Sequence, residues 1–391
     1  MNTTAVPSSA VRAAVVFLSL ASAAVAPAVA QQPRAARALP AHNAELEEPW
    51  TGPLQLVELR NGSILVHDGR EKRMAVANFA TQEQREVSKE GGGPTEYRSV
   101  IGMWAMPGDS VQALDLFQQR MLVLDPTGKA IGTRPLPGAG DPMAMMNQPM
   151  TRHIDAQGRW YGQQIAVSFE GGRMSMSDSA VLVRTHPATM KRDTLTRIPT
   201  FTTAPQFSPQ QIRMVVPGYP PLDAWGVFPD GRVIVVRGRG YVPEIYPVGA
   251  AMKRGSALPY VRMPVTAADR KAMMDSVRRA IDEGIRQAAG FAGAGAANIP
   301  PIELVEPDPW QSERPPLTAD AIRVDPRGRA WVPVFDRTPG QRFDLLDAEG
   351  RIVDAIKLPP GIQLLGFGAN SVYTARKDED DLLYIRRHPL P

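Results

Sequence analysis

The chain has no cysteine. This excludes disulfide staples, a thiol nucleophile and a lipid anchor carried on a processed cysteine. A chain of 391 residues can bury enough apolar surface to stand without staples. Histidine is scarce at 5 residues, and none forms an HExxH motif or a short-spaced pair, so a zinc-protease site is unsupported. No G-x-S-x-G elbow, phosphate-binding Walker loop or dinucleotide fingerprint occurs; Gly91-Gly92-Gly93 is followed by proline and a strand pattern, not by a helix. Charge of one sign is also lacking. Net charge is +4, but Lys and Arg alternate with Asp and Glu throughout, with no basic run or aromatic-basic motif, so no nucleic-acid partner is expected.

Long apolar runs are absent except at the start. Arg12 supplies a positive region, Ala13 to Ala26 an apolar one, and Ala28-Val29-Ala30 a small-residue cleavage site before Gln31. The apolar part is too short for a permanent span. Residues 1–30 are therefore expected to be a signal peptide, leaving an exported mature chain, periplasmic or extracellular, without a transmembrane segment. Residues 31–51 read as an N-terminal tail and residues 52–391 as the folded domain.

What is abundant is turn chemistry: 38 prolines and 33 glycines, separated by runs rich in Val, Ile, Leu, Phe and Trp. From Ala321 to Leu358 the chain reads as strand, turn, strand, turn, strand, turn, strand. Asp325-Pro326-Arg327-Gly328-Arg329 and Asp347-Ala348-Glu349-Gly350-Arg351 form the tight turns, each with glycine where positive φ is needed. A lone four-stranded meander leaves an apolar face and both edges open, so it requires copies of itself. Copies are present. The turn after the first strand recurs with anchors at Ser63, Ser110, Arg159, Arg232, Arg329 and Ser371. Three of the five spacings fall near the roughly 40–50 residues of a four-stranded propeller blade. The fold expected is all-β, a six-bladed β-propeller of four-stranded antiparallel blades near 52–90, 97–140, 146–200, 218–264, 317–360 and 361–391. The last copy lacks its fourth strand. Residues 36–48 either supply it and close the ring or remain an unstructured tail.

Two stretches interrupt the pattern. Pro199 to Pro221 is a proline-rich crossing between blades three and four. Residues 265–316 are a helical insertion between blades four and five. Thr266 and Asp269 make a capping-box-like start, and Met273 or Met274, Val277, Ile281, Ile285 and Ala288 share one helical face. That face either packs on its own propeller or serves as a lid or docking helix. A proline-rich acidic tract follows, in which Trp310 is expected to anchor the return.

GGGPTEYRSV (91–100), followed by a strand, PGDS and LDLFQQRMLVLDPTGK, resembles the exported bacterial six-bladed β-propellers related to NHL and TolB-like repeats. Thr95 and Tyr97 depart from the usual G-x-G-P-G-E-F form. The resemblance covers most of 52–391 and implies architecture. The wider group holds binders, scaffolds and a few enzymes, so it does not by itself imply an activity.

Candidate site residues follow from the blade alignment. Nine positions before the anchors, Asp223 and Asp320 open the inner strands of neighbouring blades near the channel mouth. Two adjacent carboxylates could hold a divalent cation or divide acid/base roles; the plainer reading is that both cap turns. Six positions before the anchors, His153 and Arg323 fall where side chains enter the channel. Glu58 and Asn147 are the other residues a lactonase-like metal site would need, but they do not align in a level ring with the two aspartates. The expected function is a non-catalytic platform binding a protein or small molecule, with Asp223, Asp320, His153 and Arg323 as ligand contacts. No cofactor is expected beyond a divalent cation at the aspartates. The alternative is a metal-dependent hydrolase or lactonase at the channel mouth.

Overall fold

The computed structural model describes residues 33–141, 148–170, 173–186, 188–200, 206–208, 210–292, 300–318 and 321–391. Six sheets of antiparallel strands, hydrogen-bonded in chain order except where the N-terminal segment adds a strand to each of the last two, form a six-bladed β-propeller. From inner to outer strand, blade 1 is Leu54–Glu58, Ile64–Asp68, Arg73–Ala77 and Gln84–Lys89. Blade 2 is Val100–Ala105, Val111–Asp115, Arg120–Leu124 and Ala130–Pro135. Blade 3 is Met150–Ile154, Trp160–Glu170, Arg173–His186 and Lys191–Pro199. Blade 4 is Ala224–Val227, Val233–Arg237, Val242–Tyr246 and Lys253–Arg254. Blade 5 is Arg323–Val324, Ala330–Val334, Gln341–Leu346 and Ile352–Leu358. Blade 6 is Ile362–Phe367, Ser371–Lys377 and Leu383–Pro389, with Ala44–Glu45 as its outer strand.

Each blade is covered on both faces by its neighbours. Its second strand is therefore apolar on successive residues, not on alternate ones. Ile64–Asp68 and Ala330–Val334 are buried at every position. Strand alternation then sends consecutive side chains to different neighbours. Leu65 packs into the seam with blade 2, while Ile64 and Val66 pack into the seam with blade 6. Leu345 faces blade 6 and Leu346 faces blade 4. Among the described residues the core thus divides into clusters, one at each seam.

The turn motif has a defined job. In blade 3, Asp155 Oδ1 accepts the backbone N–H of Gln157 and Arg159, both at 2.9 Å, while its Oδ2 accepts Arg159 Nε at 2.6 Å and Tyr161 Oη at 2.7 Å. Blade 5 repeats this with Asp325, which accepts Arg329 Nε at 2.8 Å and Trp331 Nε1 at 3.0 Å. The aspartate closes the turn and also satisfies the polar end of an aromatic buried in the seam. The Gly-rich stretch before blade 2 is likewise structural. Arg120 donates to the carbonyls of Gly93 and Glu96, both at 2.8 Å, and Tyr97 is fully buried with its ring edge-on to His67.

The N-terminal segment joins the ring at two places. Arg37–Ala38 pairs parallel to the outer strand of blade 5, and Ala44–Glu45 pairs antiparallel to Leu383–Pro389. Trp50 N donates to Leu383 O at 2.9 Å, and Leu383 N donates to Trp50 O at 2.7 Å. Leu46 and Trp50 are buried in the seam between the last blade and the first.

In an up-down-up-down blade the outer strand ends at the face where the next inner strand begins. The two long connections, 200–223 and 255–322, therefore emerge on one face, and they pair with each other. Ile212–Val215 lies between Gln206–Phe207, antiparallel, and Ile302–Val305, parallel. This differs from the simple crossing expected for Pro199–Pro221. Local sequence shows extended apolar residues there but not a partner some ninety positions away. The helix Ala267–Ala292 completes this cap, continuing past Ala288, the last residue of its expected apolar face. Its start is a true reciprocal cap. Asp269 Oδ2 accepts Thr266 N at 2.8 Å and Thr266 Oγ1 at 2.6 Å, and Asp269 N donates back to Thr266 Oγ1 at 3.2 Å. The same carboxylate takes Arg314 at 3.3 Å and Arg337 at 3.0 Å. Burial acts to raise the Asp269 carboxyl, but the Thr266 and Arg337 donors prevail and bring it down to about 2. The Arg314 guanidinium lies 3.8 Å from the Tyr219 ring centre and 3.7 Å from that of Phe335, so one cation joins both connections to blade 5. Trp310 stands 6.2 Å from Tyr219, ring to ring, and donates to Glu306 at 2.9 Å.

Candidate ligand site in the central channel

Inner strands line the hole of the ring, and every blade contributes to a cavity of about 510 Å³ there. Leu56, Ile101, His153, Trp225, Arg323 and Phe367 represent blades 1 to 6 in its wall, with Arg152 beside His153. Gly226 allows the wall to close between blades 4 and 5. A Cβ at this position would lie 2.8 Å from Ile322 Cγ2 and 2.9 Å from its carbonyl oxygen, closer than packing allows.

His153 and Arg323 thus line the channel, as their alignment suggested. Arg152 lines it too, although strict alternation turns it away. The reason is a bulge: the register of the inner strand of blade 3 shifts between Thr151 and His153. Two consecutive residues then face one on the partner strand, and both reach the cavity wall. The inner strands of blades 2 and 6 carry similar shifts. Gln55 donates through Nε2 to Val100 O at 3.3 Å, which ties blade 1 to blade 2. Burial pushes His153 down to about 4 against the opposing pull of the Asp155 charge, so the imidazole is neutral at physiological pH.

Asp223 lies elsewhere. It lines a second cavity, about 570 Å³, bounded by the end of blade 3, the Pro220-Pro221-Leu222 segment and blade 4. Its Oδ2 accepts Arg237 Nη1 at 2.7 Å and its Oδ1 accepts Gly238 N at 2.9 Å. Arg237 also donates through Nε to Glu244 at 2.8 Å and through Nη2 to Thr196 Oγ1 at 2.7 Å and Tyr246 Oη at 3.2 Å. Burial works to raise the Glu244 carboxyl, but donors from Arg237 and Tyr246 outweigh it and hold it below the usual range. Arg237 is the hub of a charge network that ties blade 3 to blade 4. Nothing local in the sequence marks it, because its partners are scattered along the chain.

Asp320 and Asn147 lie outside the described residues. Glu58 accepts hydrogen bonds from the Tyr373 hydroxyl and, at 3.0 Å, from Ala369 N, which joins blade 1 to blade 6. Among the described residues no group of three His, Asp or Glu side chains is close enough to hold a metal ion.

Strand order and a channel walled by all the blades define the class, a six-bladed β-propeller. No family model matches the chain, and no curated protein sequence matches it. Solved structures similar to it include a member of the DUF4221 family from Bacteroides vulgatus, at 10% identity over 89% of this chain and 94% of that one, TM-score 0.39. Virginiamycin B lyase from Staphylococcus aureus matches at 10% identity over 89% and 98%, TM-score 0.41. Regucalcin from Agrobacterium tumefaciens, a calcium-binding protein, matches at 9% identity over 89% and 97%, TM-score 0.40.

Proposed function

We propose that the chain is an exported binding protein that takes a small-molecule ligand in its central channel, with the propeller as a rigid frame. The observation that carries this reading is the cavity itself. About 510 Å³ lies within the roughly 300–1,000 Å³ range of small-molecule sites, and apolar side chains such as Leu56, Ile101, Trp225 and Phe367 share its wall with the polar groups of Arg152, His153 and Arg323. Export rests on the leader-like residues 1–30, which lie outside the described residues, and kinship with NHL and TolB-like repeats rests on the GGGPTEYRSV stretch. Among the described residues no helix is long and apolar enough to cross a membrane.

The test uses N-phenyl-1-naphthylamine, an uncharged probe whose fluorescence rises in apolar surroundings. One saturable site is expected. Ala321→Trp, at an exposed position in the cavity wall, should abolish it without lowering the melting temperature. Binding that persists unchanged in Ala321→Trp would overturn the channel as the site.

A further inference from the structure

We infer that the channel ligand is a small organic anion, its acidic group held by Arg152 and its apolar body resting against Trp225 and Phe367. The inference rests on the reading of the channel as the ligand site and adds the chemical class. Among the described residues of the cavity wall there are two arginines and a neutral histidine, but no carboxylate. Arg323 has a partner of its own, and several part-buried arginines elsewhere are matched by acids. Arg159, Arg184, Arg237, Arg329 and Arg342 each pair with an aspartate. Arg152 is exposed to the cavity and has no hydrogen-bond or ion-pair partner among the described residues.

A concave, low-dielectric wall concentrates the field of such charges on whatever enters. A guanidinium presents a planar fork of donors that fits a carboxylate, sulfonate or phosphate oxygen pair, which a point-like ammonium does less well. The bulge between Thr151 and His153 makes this possible, because it places Arg152 and His153 on the same wall. His153, uncharged, can donate one ring N–H to an anion without adding a third positive charge. The remaining side chains of the wall are apolar, which suits a ligand with a hydrocarbon or aromatic body over a bare inorganic ion.

Two probes with the same aromatic body separate this inference from the one it rests on. 8-Anilino-1-naphthalenesulfonate carries the sulfonate that N-phenyl-1-naphthylamine lacks. The sulfonate probe should bind the same site at least about tenfold more tightly, the worth of one charge-assisted hydrogen bond. Arg152→Ala should remove that advantage and leave the uncharged probe unchanged; Arg152→Lys should restore part of it. Ala321→Trp should abolish both. If Ala321→Trp abolishes both but the sulfonate probe binds no better, or Arg152→Ala leaves its advantage intact, the channel remains a site and the anionic class is wrong. If Ala321→Trp affects neither probe, the channel itself is not the site.

Discussion

Truncating Trp50 probes the closure of the ring, where the first blade meets the last. Its side chain is fully buried among Ile64, Val66, Ala75 and Phe79 of blade 1 and Tyr373, Leu383 and Ile385 of blade 6. The Arg73 guanidinium lies 4.8 Å from its ring centre. Removing a buried tryptophan typically costs about 3–5 kcal/mol, since transfer free energy is lost and the cavity does not collapse. Loss of the cation–π contact adds about 0.5–1 kcal/mol at such a partly exposed cation. One debit is small. Trp50 Nε1 is buried without a partner among the described residues, so truncation also removes an unsatisfied donor and returns about 1 kcal/mol or more. The net expectation for Trp50→Ala is roughly 2.5–5 kcal/mol, a large fraction of the about 5–15 kcal/mol that keeps a domain folded. Urea unfolding followed by far-ultraviolet circular dichroism measures it. Coupling makes the test specific. Leu383 shares the Trp50 cluster, whereas Leu345 lies in the seam between blades 5 and 6. Trp50→Ala combined with Leu383→Ala should deviate from additivity by at least about 0.5 kcal/mol, and combined with Leu345→Ala it should add within about that error. A cost for Trp50→Ala below about 1 kcal/mol, matching a truncation at exposed Val261, would show that the N-terminal segment does not hold the ring shut.

Two further outcomes follow from buried charge. Arg237→Ala leaves Asp223 and Glu244, 6% and 4% exposed, without their shared cation and should destabilise by about 3–5 kcal/mol, while Arg254→Ala, 59% exposed, should cost under about 1 kcal/mol; equal effects in urea melts would refute the hub. Acid should act through the histidines before the carboxylates. Burial lowers His67 to about 4 from the 6.5 of a free imidazole, so between these values the unfolded chain takes up a proton that the native chain does not. Stability is full above about pH 6.5 and falls as pH drops, by roughly 2 kcal/mol from this one group at pH 5. His67→Phe, which keeps the edge-on packing against Tyr97, should flatten that part of the profile; an unchanged slope between pH 7.5 and 5 would show that His67 is protonated in the native state.

Much of the fold is legible in the residues because a propeller blade is built from local events. The Asp-x-x-Gly turns at Asp155 and Asp325 hold themselves with their own carboxylates, and their spacing marks the blades. The helix start at Thr266 and Asp269 is equally local. The channel positions of His153 and Arg323 were readable by counting from a turn, because strand periodicity holds over a few residues. Counting failed at Arg152, where one bulge reverses the parity. It could not reveal that Asp223 is spent on Arg237, since that pairing depends on how the second strand of blade 4 ends beside the start of the first.

Turn residues set backbone torsions and apolar runs set which segments must be covered. Both are properties of short windows, so the chain alone determined that small antiparallel sheets would form and that they would need one another. Which side chains then meet across a seam, and that two interrupting segments pair into a cap, was decided by the tertiary structure. So was the bringing of residues from every blade to the wall of one channel. Those contacts join residues far apart in the chain, and only closing the sheets into a ring sets their distance and direction.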